Sequence, residues 1–533
     1  MRGCGILMPI SSLASRFGIG CISKEAYEFV DFLSKAGQGY WQILPVGPTG
    51  FGDSPYQPFS AFAGNPYFIC LEDLIEKGLL TWDEVNSRDF GSDEERVDYG
   101  ALYNNRFDVL RIAYGRFLEK KMDQEADYAE FTAREQFWLE DYALFMALKE
   151  LHEGKGWSDW DDEYRLRKPQ ALKKAKEELK ETIGFFEFQQ FMFDQQWRAL
   201  KKYANKHNVR IIGDIPFYVA LDSTDAWSHP EAFLMDKDLK PTVVAGCLPD
   251  AFSATGQLWG NPIYDWPHLK KRDYDWWVKR IRRSYELYDV IRIDHFHGFS
   301  EYCAIPYGDE TALNGKMCKG PGIDFFRKTA EQVPEMREEG LHMIAEDLGN
   351  NTEEKEKLLK DSGLPGMKVL QFAFTSWDSA YLTHRHERNF VVYTGTHDNT
   401  TARAWVEELN EGARSYVRRY INSVNTDYGA FVWDFIREAY RSVAELCIIP
   451  LQDYLVKGKE ARINSPGVAD GNWQWRLKPH FLSDDLARSI YGLSELYGRL
   501  PQEEPVTEEP EETEETEETE ETGKTKQAEE TQN

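Results

Sequence analysis

Short runs of apolar and β-branched residues alternate with stretches of helical periodicity along most of this chain, the rhythm of a parallel α/β fold. Eight such runs can be marked: Gly5–Met8, Tyr40–Val46, Arg210–Val219, Val290–Phe296, His342–Leu348, Met367–Phe372, Phe390–His397 and Cys447–Tyr454. Most precede an amphipathic stretch, among them Lys24–Lys35, Asp265–Leu287, Phe325–Glu339 and Asp427–Glu445. Eight strands that each return through a helix predict a closed (β/α)8 TIM barrel. An open doubly wound sheet is the competing arrangement. No Gly-rich phosphate loop follows any of the runs, which disfavours it.

About 160 residues separate the second run from the third, far more than an ordinary βα connection. Leu102–Lys121, Tyr128–Leu151 and Lys168–Lys180 are rich in Glu, Lys, Ala and Leu, so residues 47–186 are expected to form an inserted helical subdomain. A second excursion, residues 220–280, is rich in Trp and Pro and is expected to form a lid over the barrel mouth. The catalytic unit then spans residues 1–500. Beyond it, residues 501–533 carry an imperfect Glu-Glu-Thr repeat and almost nothing apolar, the signature of a disordered tail.

Charge and cysteine usage narrow the setting. The net charge is −28, of which the tail supplies −12, leaving an acidic body. That balance argues against nucleic acid or an anionic membrane as a partner and suits a neutral substrate. The seven cysteines are scattered, odd in number and without a CxxC pair, as in a reduced cytoplasmic protein with no structural zinc. No apolar run approaches the roughly 20 residues of a membrane helix. The apolar stretch Gly5–Ile10 is too short for a signal peptide. A cytoplasmic location is expected.

In a barrel, catalytic side chains come from the C-terminal ends of the strands. Those ends are unusually polar here. The third run carries Asp214, the fourth Arg292, Asp294 and His295, the fifth Glu346 and Asp347, and the seventh His397, Asp398 and Asn399. A single carboxylate at a strand end is commonly a helix cap or an ion-pair partner. Carboxylates on four strands of one barrel make that account much weaker. Glycoside chemistry needs two carboxyl groups across the scissile bond, and a third can grip the sugar as its ring flattens. Asp294, Glu346 and Asp398 supply that number and type.

The runs Arg292-Ile-Asp294-His295-Phe, Ile344-Ala-Glu346-Asp347-Leu-Gly and Thr396-His397-Asp398-Asn399 closely resemble glycoside hydrolase family 77, the amylomaltases. Two longer signatures point the same way: Gly52-Asp-Ser-Pro-Tyr56-Gln-Pro-Phe-Ser-Ala-Phe-Ala-Gly-Asn65-Pro, and Gly256-Gln-Leu-Trp259-Gly-Asn261-Pro-Ile-Tyr264. The resemblance spans residues 1 to about 498. It implies a 4-α-glucanotransferase that moves a segment of an α-1,4-glucan to the 4-hydroxyl of a glucose or glucan acceptor. The donors and acceptors would be maltooligosaccharides and amylose, with glucose as a further acceptor.

Residue roles follow from the resemblance. Asp294 would be the nucleophile, kept ionised by Arg292, and Glu346 the acid/base. Asp398 would grip the donor sugar, with His295 and His397 as hydrogen-bond donors. Tyr56 would stack beneath the donor glucose, and Asp214 would belong to the polar floor. Trp259 and Asn261 would stand around the cleavage point, with Asp250 and Phe252 nearby. No cofactor or metal is implied. Two positions depart from the family: His297 stands where Arg is more usual, and Phe51 where some relatives have Tyr. An α-glucan hydrolase of the same clan would share the three carboxylates. Such amylases usually carry a C-terminal β-domain, however, and only about 45 residues follow the eighth run before the tail. A catalytically dead glucan-binding protein would have no physical reason to keep all three carboxylates.

Overall fold

Alternate residues of the eight runs bury on opposite faces, as strands between a barrel interior and a layer of helices must. The computed structural model describes residues 2–50, 52–249, 253–349 and 352–501, so the expectations for Phe51, Asp250, Phe252 and the tail lie outside the described residues. Twelve strands form among the described residues. They are β1 (Gly3–Leu7), β2 (Tyr40–Gln42), β3 (Arg210–Ile215), β4 (Val243–Cys247), β5 (Gln257–Pro262), β6 (Val290–Ile293), β7 (Glu301–Pro306), β8 (Lys316–Lys319), β9 (Met343–Ala345), β10 (Gly366–Val369), β11 (Phe390–Tyr393) and β12 (Leu446–Pro450).

Eight of these pair in parallel in the order β10-β11-β12-β1-β2-β3-β6-β9. The two ends of that row meet. The Ala345 amide of β9 donates to the Pro365 carbonyl beside β10 at 2.9 Å. The Asp347 carboxylate accepts from the Met367 amide at 2.7 Å. The sheet is thereby a nearly closed (β/α)8 barrel. Leu7, Ile212, Val290, Ile344, Val369, Val391 and Ile448 fill the interior. Their neighbours Ile6, Ile211, Ile291, Ala345, Val392 and Ile449 join a second cluster that includes Phe29 and Leu33 of the helix Lys24–Lys35 and Phe435 and Ile436 of the helix Tyr428–Arg441.

All eight apolar runs contain a strand, but most overshoot its C-terminal end. Pairing stops where the chains splay at the barrel mouth, and the leftover residues turn into short helices such as Phe296–Phe299, Leu370–Thr375 and Leu451–Tyr454. The expected helix Asp265–Leu287 is two, Trp266–Lys271 and Asp275–Leu287, divided where Asp273 and Tyr274 take left-handed backbone angles. The expected helix Phe325–Glu339 ends at Gln332, two residues before Pro334, which cannot donate to the helix ladder. Between β2 and β3 the chain is mainly helical, with Tyr99–Glu119, Ala126–Leu151 and Pro169–Glu178 close to expectation. A further helix, Lys180–Lys206, then runs to the start of β3, burying Phe185, Phe188, Phe193 and Trp197. The remaining strands form an antiparallel sheet, β5-β4-β7-β8. Strands β4 and β5 lie within residues 220–280, whereas β7 and β8 follow β6 and coincide with none of the eight runs.

A buried ion network ties the helices between β2 and β3 to the barrel layer. Arg283, on the helix Asp275–Leu287, lies 3.3 Å from Glu135 and 3.8 Å from Asp194. Arg134 reaches the same two carboxylates at 2.8 and 2.7 Å, and Trp138 donates to Glu135 at 2.7 Å. Glu135 is 1 % exposed and Arg283 2 %. Removing one partner of such a pair strands a buried charge. Glu135→Ala is expected to cost about 3 kcal/mol, read as a lower urea midpoint at unchanged slope. A loss below about 0.5 kcal/mol would mean that Asp194 and Glu286, the latter 2.8 Å from Arg283, neutralise it without Glu135.

Candidate active site

The polar strand ends converge on one face of the barrel. Asp214 in β3 is the direct neighbour of Arg292 in β6, and Arg292 that of Ile344 in β9. The ladder continues one residue beyond the strands, with the Asp294 amide donating to Ile215 and the Glu346 amide to Ile293, both at 3.0 Å. Asp294 and Glu346 therefore leave adjacent strands at the same level. Arg292 is 2 % exposed. One of its nitrogens, Nη1, contacts both Asp214 Oδ2 and Asp294 Oδ1, the latter at 3.1 Å. Burial alone would lower its pKa, but Asp214 and then Asp294 outweigh burial and hold it above the usual guanidinium value. Arg292 is a fixed cation. The Tyr56 hydroxyl completes the floor by donating to Asp214 at 2.8 Å.

Glu346 is held by the backbone. Its Oε2 accepts from the His295 amide at 2.8 Å and its Oε1 from the Leu348 amide at 2.9 Å. His295 itself takes a left-handed conformation, φ 49°, that turns the chain from the strand end into the short helix Phe296–Phe299. Burial and then the Asp294 charge push the Glu346 carboxyl up to about 7, against the opposing pull of Arg292 and the two amides. One carboxyl of the pair thus holds a proton near neutrality.

Asp398 has a separate countercharge. Its Oδ2 lies 3.3 Å from His397 Nε2, and Asn464 donates to its Oδ1 at 2.6 Å. Arg462 donates to its backbone carbonyl at 2.8 Å, and the Asn464 amide to the His397 carbonyl at 3.0 Å. Burial works against ionisation, but His397 and Asn464 prevail and Asp398 stays well below the usual carboxylate range. His397 moves the opposite way and is raised by Asp398 despite its burial. The Asp398 side chain remains 42 % exposed, so solvent screens part of this pairing. Behind it the rings of Tyr56 and His397 stack at 5.1 Å with 17° between planes, and Trp473 packs on both.

The other expected residues divide. Trp259 in β5 meets the His295 ring edge-on at 5.1 Å and lies 6.3 Å from Tyr218, at the rim of the same cluster. Its indole nitrogen donates to Gln257. Asn261 is buried and spends its amide on the Val219 carbonyl at 2.8 Å, tying β5 to the segment after β3. His295 is held neutral by burial, its pKa pulled down to about 4. His297 is likewise lowered to about 4 by burial, and its Nε2 meets the Asp347 carbonyl at 2.8 Å. Asn464, Arg462 and Trp473 were not legible as site residues, since they follow the eighth strand in a segment without periodicity. Their one signal is the polar and aromatic run Ile463-Asn464-Ser465-Pro466-Gly467 to Trp473-Gln474-Trp475. No cluster of three or more metal-ligating side chains occurs among the described residues.

The Glu346 proton has a consequence for stability. A carboxyl raised from 4.5 to about 7 binds its proton more tightly in the folded chain than in the unfolded one. Its burial is therefore harmless below about pH 4.5, increasingly destabilising as pH rises from there, and fully so above about pH 7. Glu346→Gln is expected to stabilise the protein by about 2 kcal/mol near pH 8.5, with the gain shrinking to nothing near pH 4. Denaturant midpoints at the two pH values test this; equal gains at both would show that Glu346 is not the titrating group.

Comparison with known proteins agrees with the geometry. Residues 8–483 match the family model described as glycoside hydrolase family 77, 4-alpha-glucanotransferase. The 4-alpha-glucanotransferase of Clostridium butyricum is 49 % identical over 499 residues, covering 92 % of this chain and 100 % of that protein. That of Thermus thermophilus is 44 % identical, covering 94 % and 99 %. Among solved structures, an amylomaltase from Streptococcus agalactiae in complex with acarbose superposes with a TM-score of 0.90 at 39 % identity, covering 94 % of this chain and all of that one. With likeness along nearly its whole folded length, the chain belongs to glycoside hydrolase family 77, the 4-alpha-glucanotransferases.

Proposed function

We propose that this 4-alpha-glucanotransferase works by retaining double displacement, with α-1,4-glucans as donors and with glucans or glucose as acceptors. The observation that carries the reading is geometric: two carboxyls leave adjacent strands at the same level, one against a buried cation and the other without one. Asp294 faces the fixed Arg292 cation at 3.1 Å, and Glu346 is raised to about 7. In the first step an Asp294 oxygen attacks the anomeric carbon while the glycosidic C–O bond breaks, and Glu346 gives its proton to the departing oxygen. An ester between Asp294 and the donor segment remains. In the second step Glu346 takes the proton from the acceptor's 4-hydroxyl. That oxygen then attacks the anomeric carbon and releases Asp294, restoring both carboxyls and the α-configuration.

Asp398, ionised and open to the cleft, stabilises the positive charge that develops on the sugar ring, with His397 beside it. Tyr56, stacked on His397 and bonded to Asp214, presents a flat face beneath the donor glucose. Arg292 and Asp214 hold Asp294 in place. His295 and Trp259 border the cleavage point, and Asn261 fixes the strand that carries Trp259. Residues 1–500 act as one catalytic body with insertions at 47–186 and 220–280. No described helix is long and apolar enough to cross a membrane, and seven free thiols suit the cytoplasm. Neither nucleic acid nor membrane is a partner of so acidic a surface.

Transfer rather than hydrolysis requires an acceptor held in line and water kept out. Maltotriose supplied alone should yield glucose and a ladder of longer maltodextrins, with little rise in total reducing ends. Glucose and maltose formed with a matching rise in reducing ends would replace transfer by hydrolysis.

A further inference from the structure

One tryptophan has no structural reason to be where it is. Of the sixteen in the chain, Trp377 is the most exposed at 76 %. Trp82 follows at 43 %, and Arg16 lies over its ring at 5.1 Å. No ring or cation among the described residues packs on Trp377. A single exposed apolar side chain is ordinary on a protein surface, and one this large signals a binding role where its position shows that something covers it.

Its position indicates what does. Trp377 lies in the segment that leaves the C-terminal end of β10, on the barrel face that carries Asp294, Glu346 and Asp398. Strand β10 stands between β9, which leads directly into Glu346, and β11, which leads to Asp398. The segment is anchored. The Gln371 side chain donates to the Thr400 carbonyl at 2.8 Å, and the Gln371 amide to the Thr394 carbonyl at 3.3 Å. Thr375 and Ser379 fold back onto the Phe372 carbonyl, and Ser376 bonds Asp378 across the tip. At its base Phe372, 37 % exposed, packs edge-on against Tyr381 at 5.7 Å. Tyr381 in turn is close enough to Asp347 and Glu346 for their charges to add to the burial that raises its pKa to about 12. Tyr381 and Phe372 therefore form an aromatic ridge in the neighbourhood of Glu346, and the turn that closes on the Phe372 carbonyl carries Trp377 at its tip.

We propose that Trp377 is an outlying sugar platform, stacking on a glucose unit of the leaving-group or acceptor portion of a long α-1,4-glucan. The inference rests on the glucanotransferase mechanism proposed above. Glu346 exchanges its proton with the glycosidic oxygen of the departing or arriving chain, so sugars on its side of the cleft belong to that chain. The flat, C–H-rich face of glucose matches an indole face, and the anchored turn presents that face at little ordering cost. A short substrate ends before reaching the tip of the turn, so Trp377 discriminates by chain length.

The test compares wild type, Trp377→Ala and Trp377→Phe in disproportionation of maltotriose and of maltoheptaose. The alanine variant should leave kcat/KM for maltotriose within about twofold. It should lower kcat/KM for maltoheptaose roughly five- to tenfold, mostly through KM, as expected for one lost aromatic contact. The phenylalanine variant should recover most of that loss, and thermal unfolding should not change. Equal losses on both substrates, or none on maltoheptaose, would overturn the proposal. A wild type that fails to disproportionate either sugar would sink the transferase mechanism and this inference together. Normal wild-type turnover with no chain-length effect of Trp377→Ala would sink this inference alone.

Discussion

A guanidinium sealed from water lies between two carboxylates on neighbouring strands, and the electrostatics of the barrel mouth are organised around it. Asp214 is fully buried, and Asp294 stands one strand away at the next level. Without Arg292 the buried Asp214 would have no cation beside it and would face the Asp294 carboxylate, both of which oppose its ionisation. With Arg292 in place, Asp214 and Asp294 share one cation; burial still raises the Asp214 carboxyl to about 6, and Glu346, which does not touch the guanidinium, is raised to about 7. The same cation pulls Glu346 down while Asp294 pushes it up, which leaves it near neutrality instead of far above it. Asp398 escapes this competition because His397 and Asn464 serve it separately.

That arrangement needs strands whose ends cannot drift. Asp214, Arg292, Asp294 and Glu346 are fixed by consecutive parallel registers across β3, β6 and β9. The barrel's weakest seam lies next to Glu346, where β9 meets β10 through the Ala345–Pro365 backbone bond and the Asp347 side chain. Asp347, adjacent in sequence to the acid/base candidate, thus closes the sheet instead of facing the cleft. His297 bonds to the Asp347 carbonyl and stiffens the same corner. The polar residues around Glu346 divide between chemistry and closure.

The strand–helix rhythm made the barrel legible, because period-two burial on both faces leaves long apolar runs. Strand ends were harder to read. Residues such as Phe296, Leu370 and Leu451 are as apolar as the strands they follow, but they pack in short helices at the mouth. Strands β7 and β8 were illegible because Lys316-Met-Cys-Lys alternates too weakly to declare a strand, and its pairing with β7 is set by tertiary contact. The carboxylates at Asp294, Glu346 and Asp398 were legible because charge at a strand end needs a reason. Asn464 and Trp473 were not, because an Asn or a Trp in a loop is ordinary until the fold brings it to Asp398 and Tyr56.

The central claim is that Asp294 becomes covalently bonded to sugar while Glu346 governs its release. The most direct test is intact-mass and peptide-mapping analysis of the Glu346→Gln variant mixed with an α-maltosyl fluoride. Fluoride departs without a proton donor, so the first step proceeds, whereas release lacks its base. The account predicts a protein heavier by one maltosyl unit, with the added mass on the peptide containing Asp294. A protein of unchanged mass that nonetheless consumes the fluoride, or an adduct on Asp398 or Asp214, would contradict it.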